Sequence, residues 1–212
     1  MAKLKHFVFN DFQVNAFVVY DETKEAVIID GAVSSEAELN ELLDFIQKNE
    51  LKPKYILNTH GHIDHVCGNS DLKSIFNIPV LMNTNDNFWV ENVSKQAAMY
   101  GMTVKEQALP DKNIEDNDII KFGNSELLAI YIPGHSPGSI AFYDKDSAYV
   151  ITGDTLFQYS IGRTDFPKGN HNDLINNIKT KLFSLPNDTL VLPGHGPETT
   201  IRNEKKQNPY FG

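Results

Sequence analysis

The chain has 212 residues, of which 41% are apolar and 22% charged, close to globular averages, so disordered and fibrous classes are excluded. Its 28 acidic and 19 basic residues leave a net charge of −9 with histidine neutral. That balance argues against nucleic acid as a partner, because phosphate binding draws on surplus Lys and Arg.

Such a length buries about 70% of the unfolded surface, enough for one domain with a sizeable core. The opening, Met1 to Asp11, has no long apolar stretch and no small-residue cleavage site, so no secretory leader is expected. No run approaches the ~18 apolar residues of a membrane span. The single cysteine, Cys67, cannot form an internal disulfide, which suggests a reducing compartment. The expectation is a cytoplasmic protein that does not touch membrane.

Lys3 to Phe9, Asn15 to Tyr20 and Glu25 to Asp30 are short runs rich in Val, Ile and Phe, parted by polar turns. They predict a meander of strands. Ser34 and Ser35 then offer N-caps, and Leu39, Leu42, Leu43 and Ile46 recur at helical spacing, so Ser35 to Asn49 is predicted helical. Lys54 to Leu57 predicts a strand running into Asn58-Thr59-His60, Asp71 to Phe76 a helix, and Val80 to Met82 a short strand.

Thr84 to Pro110 holds Phe88, Trp89, Met99 and Tyr100 but little periodicity, and predicts a helix or two inserted between strands. Strands are then expected at Ile119 to Phe122, Leu127 to Ile132, Ser139 to Tyr143 and Tyr149 to Thr152. A helix from His171 to Phe183, a strand from Thr189 to Leu192 and a last helical turn or two from Thr200 to Asn208 complete the chain. Strand-then-helix order occurs twice. It predicts an α/β (α+β) domain over 1–212, with similar halves at roughly 1–83 and 111–212 around a helical insertion at 84–110. Two sheets packed face to face with helices outside satisfy that order.

Five of the seven histidines fall in three glycine-marked loops: Thr59-His60-Gly61-His62-Ile63-Asp64-His65, Pro133-Gly134-His135-Ser136-Pro137-Gly138 and Pro193-Gly194-His195-Gly196-Pro197. Each follows an apolar strand candidate, and a fourth strand, Tyr149 to Thr152, runs into Gly153-Asp154. His60 and His62 are two apart, so an extended backbone points both imidazoles to one side. Asp64 and His65 lie where the chain can turn into a helix and face a second point. Imidazole and carboxylate are ligands for zinc and similar ions. Five histidines and two aspartates exceed the three protein ligands of a typical catalytic zinc, and suit two metals about 3.5–4 Å apart that share a carboxylate. His6 and His171 lie outside these loops and are read as structural, His171 as a helix start. Cys67 is read as a buried small hydrophobe rather than a ligand.

Thr59 to His65, Gly134 to Gly138, Gly153-Asp154 and Gly194-His195-Gly196 together resemble the metallo-β-lactamase superfamily, in order and spacing over nearly the whole chain. The resemblance implies a four-layer αββα sandwich with the metals at one edge of the two sheets. It further implies that His60, His62 and His135 hold one metal, that Asp64, His65 and His195 hold the second, and that Asp154 bridges them. Gly153 to Phe157, Ile161 to Phe166 and the closing Glu204 to Tyr210 are similar to the glyoxalase II branch, the hydroxyacylglutathione hydrolases, and to its shorter bacterial relatives.

On that reading two divalent ions, zinc first with iron or manganese as alternatives, bring the pKa of a bound water from 15.7 to roughly 7. A metal-bridging hydroxide would attack a carbonyl carbon, with Asp64 and Asp154 as the catalytic carboxylates. A thiolate leaving group needs little protonation, so a small-molecule thioester such as S-lactoylglutathione is the expected substrate. The chain ends about 17 residues after His195, so the helical domain that helps longer glyoxalase II enzymes hold glutathione is not expected. Of three glutathione contacts that the resemblance implies, the basic one is kept at Arg163, while Asp165 and Pro197 stand where the longer enzymes have tyrosines. Arg163 is therefore the candidate substrate-binding residue, against an internal ion pair with Asp165. The insertion at 84–110 is open to three readings: a cleft wall, a cover for the sheet edge, or a homodimer contact. Rival functions are a persulfide dioxygenase with one iron in the same fold, a lactonase or other ester hydrolase, a β-lactamase, a nuclease, and a scaffold that binds metal without catalysis.

Overall fold

The structure is a computed structural model that describes residues 1–101 and 104–211; Met102 and Thr103 of the insertion, and Gly212, lie outside the described residues. Strands β1 (Lys3–Phe9) and β2 (Val14–Tyr20) form an antiparallel hairpin. In β2, Phe17 and Val19 enter one core while Ala16 and Val18 enter another. Both faces of the strand are covered, which is why it reads as a nearly unbroken apolar run. Antiparallel pairing continues into β3 (Glu25–Ile29), and parallel pairing then adds β4 (Lys52–Leu57), β5 (Val80–Met82) and β6 (Lys112–Asn113). The first sheet thus takes its sixth strand from beyond the insertion. Two polar residues carry no period for sequence reasoning to detect, and backbone bonds from Asp111 to Val80 and from Ile114 to Met82 hold them in place.

Helix α1 (Glu36–Lys48) crosses between β3 and β4. Ser35 accepts from the Glu38 N–H and the Glu38 side chain returns to the Ser35 N–H, a reciprocal cap typically worth ~1 kcal/mol. Its Leu42 and Ile46, with Leu72 of α3 (Asn69–Phe76), cover the outer face of the first sheet. Between β4 and α3 lies the four-residue α2 (Ile63–Val66). The insertion folds as a 3₁₀ turn at Thr84–Asp86, then α4 (Asn87–Glu91) and α5 (Val93–Met99). No piece exceeds seven residues, so none shows a sustained helical period. Val90, Val93 and Ala97 pack on Ile63 and Val66 of α2 and on Met82.

The second sheet runs β14-β13-β10-β9-β8-β7. Its strands are β7 (Ile119–Phe122), β8 (Ser125–Tyr131), β9 (Ile140–Asp144), β10 (Tyr149–Gly153), β13 (Leu190–Pro193) and β14 (Thr199–Thr200). A short ribbon of β11 (Leu156–Phe157) and β12 (Ser160–Ile161) stands apart. Phe122, Leu127, Phe142 and Ile151 of this sheet meet Phe17, Val27, Ile29 and Leu57 of the first. Leu174 and Ile178 of α6 (His171–Thr180) and Ile201 of α7 (Ile201–Gln207) cover its outer face. The expected helix to Phe183 ends earlier, with the chain tightening into a 3₁₀ turn at Leu182–Ser184. The layers are helix, sheet, sheet, helix, as expected for the αββα sandwich. Among the described residues no helix is long and apolar enough to cross a membrane.

Candidate metal centre

Strand ends deliver the site. β3 runs out into Asp30, β4 into Thr59 to His65, β8 toward His135, β10 into Asp154 and β13 into His195. The parallel pairs β3/β4 and β10/β13 end on the same side of their sheets, the side where ligands bind in open α/β sheets. Backbone bonds close the rim between the sheets. Ile140 N–H donates to Thr59 O at 2.8 Å and Asn15 N–H to Gly194 O at 2.7 Å. The Asn15 amide also donates to Pro193 O and Gly196 O, 2.9 Å each, which holds the His195 loop from both sides. His6 Nε2 lies 2.8 Å from the Asn15 side-chain oxygen, and its ring stacks on Phe17.

All seven sequence-derived ligand candidates converge at this rim. Ligand atoms of His60, His62 and His135 lie within 4.8 Å of one another, and so do those of Asp64, His65 and His195. A third set, His60, His65 and Asp154, meets the same limit and joins the two. Asp154 lies 3.5 Å from His65, 3.5 Å from His195 and 3.7 Å from His135. Asp64 lies 3.3 Å from His195 and 3.5 Å from His65.

The other ring nitrogens explain the orientation. Nδ1 of His65 faces the Asp30 carboxylate at 3.0 Å, Nδ1 of His135 faces Arg163 O at 2.8 Å and Nδ1 of His195 faces Phe12 O at 2.9 Å. Each of these partners is a hydrogen-bond acceptor, so each Nδ1 carries a proton and each Nε2 points into the cluster, where it is the atom left to bind an ion. His135 Nε2 then meets His62 Nδ1 at 2.9 Å, and His65 Nε2 meets His195 Nε2 at 3.3 Å. His60 Nε2, His62 Nε2 and Asp154 Oδ1 are buried without a partner. So many ring nitrogens and carboxylate oxygens facing one another, with buried atoms of His60, His62 and Asp154 unpartnered, suit a cation among them, and a borderline ion with imidazole and carboxylate ligands fits this donor set.

Electrostatics divide the cluster. Burial, followed by His65 and His62, holds His60 well below the usual histidine range. Burial and then His135 push His62 down to about 3. Burial also works against charge on His65, but Asp64, Asp154 and Asp30 outweigh it and raise that imidazole well above its usual range. His195 is likewise raised, to about 10, because bonds to Asp154 and Asp64 overcome burial. Burial would raise Asp154, yet His65 and His195 hold it well below the carboxylate range. His60 and His62 are therefore neutral imidazoles, while the group around Asp64 and Asp154 is carboxylate-rich and draws positive charge, for which proton and metal ion compete. Cys67, buried beside α2, is pushed up to about 12 by burial and then by Asp64, so it remains a thiol.

Over the cluster opens a cleft of about 500 Å³. It is lined by Trp89, Met99 and Tyr100 of the insertion, by Phe157, Ile161 and Phe166, and by Phe12 from the β1–β2 turn. Tyr100 packs edge-on to Phe12 at 5.1 Å and Trp89 edge-on to His62 at 4.5 Å. Of the four large side chains noted in the insertion, Phe88 alone stays out of the cleft, packing beside Trp89 and under Lys168. Arg163 lines the mouth, stacked on Phe166 at 4.4 Å and paired with Asp165 through two bonds of 2.9 and 2.8 Å.

Sequence reasoning missed two aspartates. Asp30 ends an apolar strand next to a glycine, as Asp154 does with the two residues in the reverse order, so a signal was present. Asp86 sits in an Asn- and Asp-rich turn that reads as ordinary turn chemistry. It is fully buried and binds the His60–His62 loop and the His135 loop together.

Comparison with known proteins adds a family. Residues 9–195 match the family described as the metallo-beta-lactamase superfamily. A relative from Haemophilus influenzae, "hydroxyacylglutathione hydrolase GloC", is 38% identical over 202 residues, covering 94% of this chain and 93% of its own. The crystal structure of BLEG-1 B3 metallo-beta-lactamase superposes with a TM-score of 0.90 at 34% identity, covering 99% of both chains. That of TTHA1623 in a di-iron-bound form gives 0.88 at 34% identity, covering 97% of this chain and 99% of the other.

Proposed function

The chain belongs to the metallo-beta-lactamase superfamily, a metal-dependent hydrolase by its family and its relatives, and from that membership we propose that it hydrolyses thioesters, with S-lactoylglutathione as the first substrate to test. The observation that carries the reading is the convergence of seven His and Asp side chains, with buried atoms of His60, His62 and Asp154 left unpartnered, under a cleft with room for a small molecule.

His60, His62 and His135 would hold one divalent ion and Asp64, His65 and His195 a second, with Asp154 within reach of both groups. Zinc suits these donors, with iron or manganese as alternatives. When bound, two such ions supply Lewis acidity that brings coordinated water toward neutral pKa and polarises a carbonyl oxygen.

The chain's own groups supply the rest. Asp64 and Asp154, the catalytic carboxylates, accept hydrogen bonds from the attacking water and turn its oxygen toward the scissile carbonyl. Asp30, Arg163 O and Phe12 O keep three imidazoles in the tautomer that leaves Nε2 free. Trp89, Phe166 and Phe157 thin out the water around the reacting carbonyl. A thiolate departs without a proton, which suits a cleft whose only lining carboxyls, among the described residues, are Asp64 and Asp154. Arg163 stands at the mouth for a remote carboxylate of the substrate. Its bond to Asp165 is exposed on both sides, and exposed pairs contribute only ~0–1 kcal/mol, so a substrate carboxylate can exchange with it.

The printed activity of the Haemophilus relative, hydroxyacylglutathione hydrolase, supports this substrate class. A second reading, β-lactam hydrolysis, is favoured by the likeness to BLEG-1. A lactam nitrogen needs a proton to leave, which sets it apart from a thioester. A persulfide dioxygenase would use one iron on two histidines and a carboxylate, a smaller set than the seven side chains gathered here. The test is thiol release from S-lactoylglutathione by metal-loaded protein, with chelator-stripped protein as control. Rapid metal-dependent release is expected. Turnover of a β-lactam or oxygen uptake with glutathione persulfide, without thiol release, would overturn the reading.

A further inference from the structure

Behind the His60, His62 and His135 group lies a carboxylate that no ligand role accounts for. Asp86 is fully buried at the end of the 3₁₀ turn that begins the insertion. Its Oδ2 accepts from Gly61 N–H at 2.8 Å and from Ser136 Oγ–H at 2.6 Å. Its Oδ1 accepts from Gly138 N–H at 2.6 Å. Gly61 lies between His60 and His62, and Ser136 follows His135. One carboxylate therefore spans the two loops that bring these three imidazoles together.

The fit leaves no room for alternatives. A Cβ on Gly61 would stand 2.9 Å from the Asp86 Cβ, and one on Gly138 would stand 2.6 Å from the Asp86 Cγ. Both loops are glycine where the carboxylate enters. All three partners are donors, so the pocket is built for the anion. Burial raises the Asp86 carboxyl, and the bonds from Ser136, Gly61 and Gly138 oppose that rise.

The two halves of the cluster receive different support. Asp30 touches the carboxylate-rich half directly through His65 Nδ1 and also accepts from Thr59 N–H and Oγ–H, at 2.8 and 2.6 Å. Among the described residues no carboxylate hydrogen-bonds directly to a ring of the all-imidazole half: Asp30 reaches His60 Nδ1 only through Thr59 Oγ, Asp154 stands 3.7 Å from His135, and Asp86 acts through the backbone and Ser136 of both loops.

We infer that Asp86 is a positioning residue for the all-imidazole half of the site: it clamps the His60–His62 loop to the His135 loop, so that this half is shaped before an ion arrives and its cation faces a buried negative charge. The inference rests on the reading that these histidines hold a metal. It makes the insertion part of the metal centre as well as a wall of the cleft. It also predicts that the two halves lose their ions independently.

The test is zinc stoichiometry and affinity, measured by competition with a chelating indicator on Asp86→Asn, Ser136→Ala, His195→Ala and the Asp86→Asn/His195→Ala double variant. Unmutated protein is expected to take two ions and His195→Ala one. Asp86→Asn keeps the shape but turns an N–H₂ toward a donor. It should retain one ion and weaken the other by at least about tenfold, the usual cost of losing a partner of a ligand. The double variant should then retain none at that concentration. Raising zinc should restore turnover of Asp86→Asn, because every ligand remains, and a merely unstable variant would not recover. If Asp86→Asn fails to fold, Ser136→Ala removes one of the three bonds and should weaken the same single step. Unchanged affinity in both variants, or equal weakening of both steps, overturns the inference. Failure of the unmutated protein to bind zinc, iron or manganese would instead overturn the metal reading beneath it.

Discussion

The floor of the cleft and its walls are built by different physics. The floor consists of strand ends tied across two sheets, and its histidines are oriented through carbonyls and carboxylates up to 183 residues away in sequence. The walls are aromatic rings on the short helices of the insertion and on the stretch from Phe157 to Phe166, with Tyr100 and Met99 largely exposed. Rigid placement is what a reaction centre needs, and apolar adaptable surface is what a substrate pocket needs. Substitutions in the floor should thus damage every substrate alike, whereas those in the wall should sort substrates from one another.

The largest break is Asp154→Ala. It removes the group within reach of both halves, and turnover should fall by more than the roughly 100-fold typical of losing a ligand's outer partner, with metal content falling in parallel. Retention of both metals with full turnover would dissolve the floor as drawn. Chelation should act next. Stripped protein should lose activity and also melt lower, because an ion present at 1,000 times its dissociation constant contributes about 4 kcal/mol to the folded state; calorimetry with and without chelator checks this.

Wall changes are smaller and selective. Arg163→Ala should raise KM for an anionic thioester by a few-fold, about the worth of an exposed pair, and leave kcat and metal content unchanged. An unchanged KM would return Arg163 to its pairing with Asp165. Tyr100→Ala opens the end where it meets Phe12, so KM for bulky acyl groups should move more than KM for small ones.

Glu38→Gln should spare turnover and touch stability alone, by ~1 kcal/mol as for other helix caps. Burial works to raise the Glu38 carboxyl, but bonds from Ser34, Asn10 and Ser35 hold it below its ordinary value of 4.5. The folded state therefore favours the ionised form. That stability is present above pH 4.5 and lost as pH falls through the lower folded value. Unmutated protein should lose more stability on acidification across that window than Glu38→Gln, measured by urea midpoints at several pH values.

Much of the floor was legible because its signals are local. His60-x-His62-x-Asp64-His65 needs only an extended backbone passing into α2 to present ligands on two sides, and the apolar strands before His60, Asp154 and His195 announce themselves by composition. Ser34 and Ser35 likewise marked the start of α1 within one residue, Ser35 being its cap. The walls were legible only as a set of aromatic residues. Trp89 faces His62 while Phe88, one residue earlier, turns toward Lys168, and helices of five and seven residues are too short for periodicity to foretell that.

By itself, then, the sequence determined the layered sandwich, its longer strands along the chain and the identity of seven ligand-type side chains. Tertiary structure alone decided which ring nitrogen of each histidine faces inward, which halves the ligands form, and that Asp30 and Asp86 stand behind them. The reason is that those choices rest on hydrogen bonds between residues 25 to 183 positions apart, and such partners exist only after the two sheets have closed on each other.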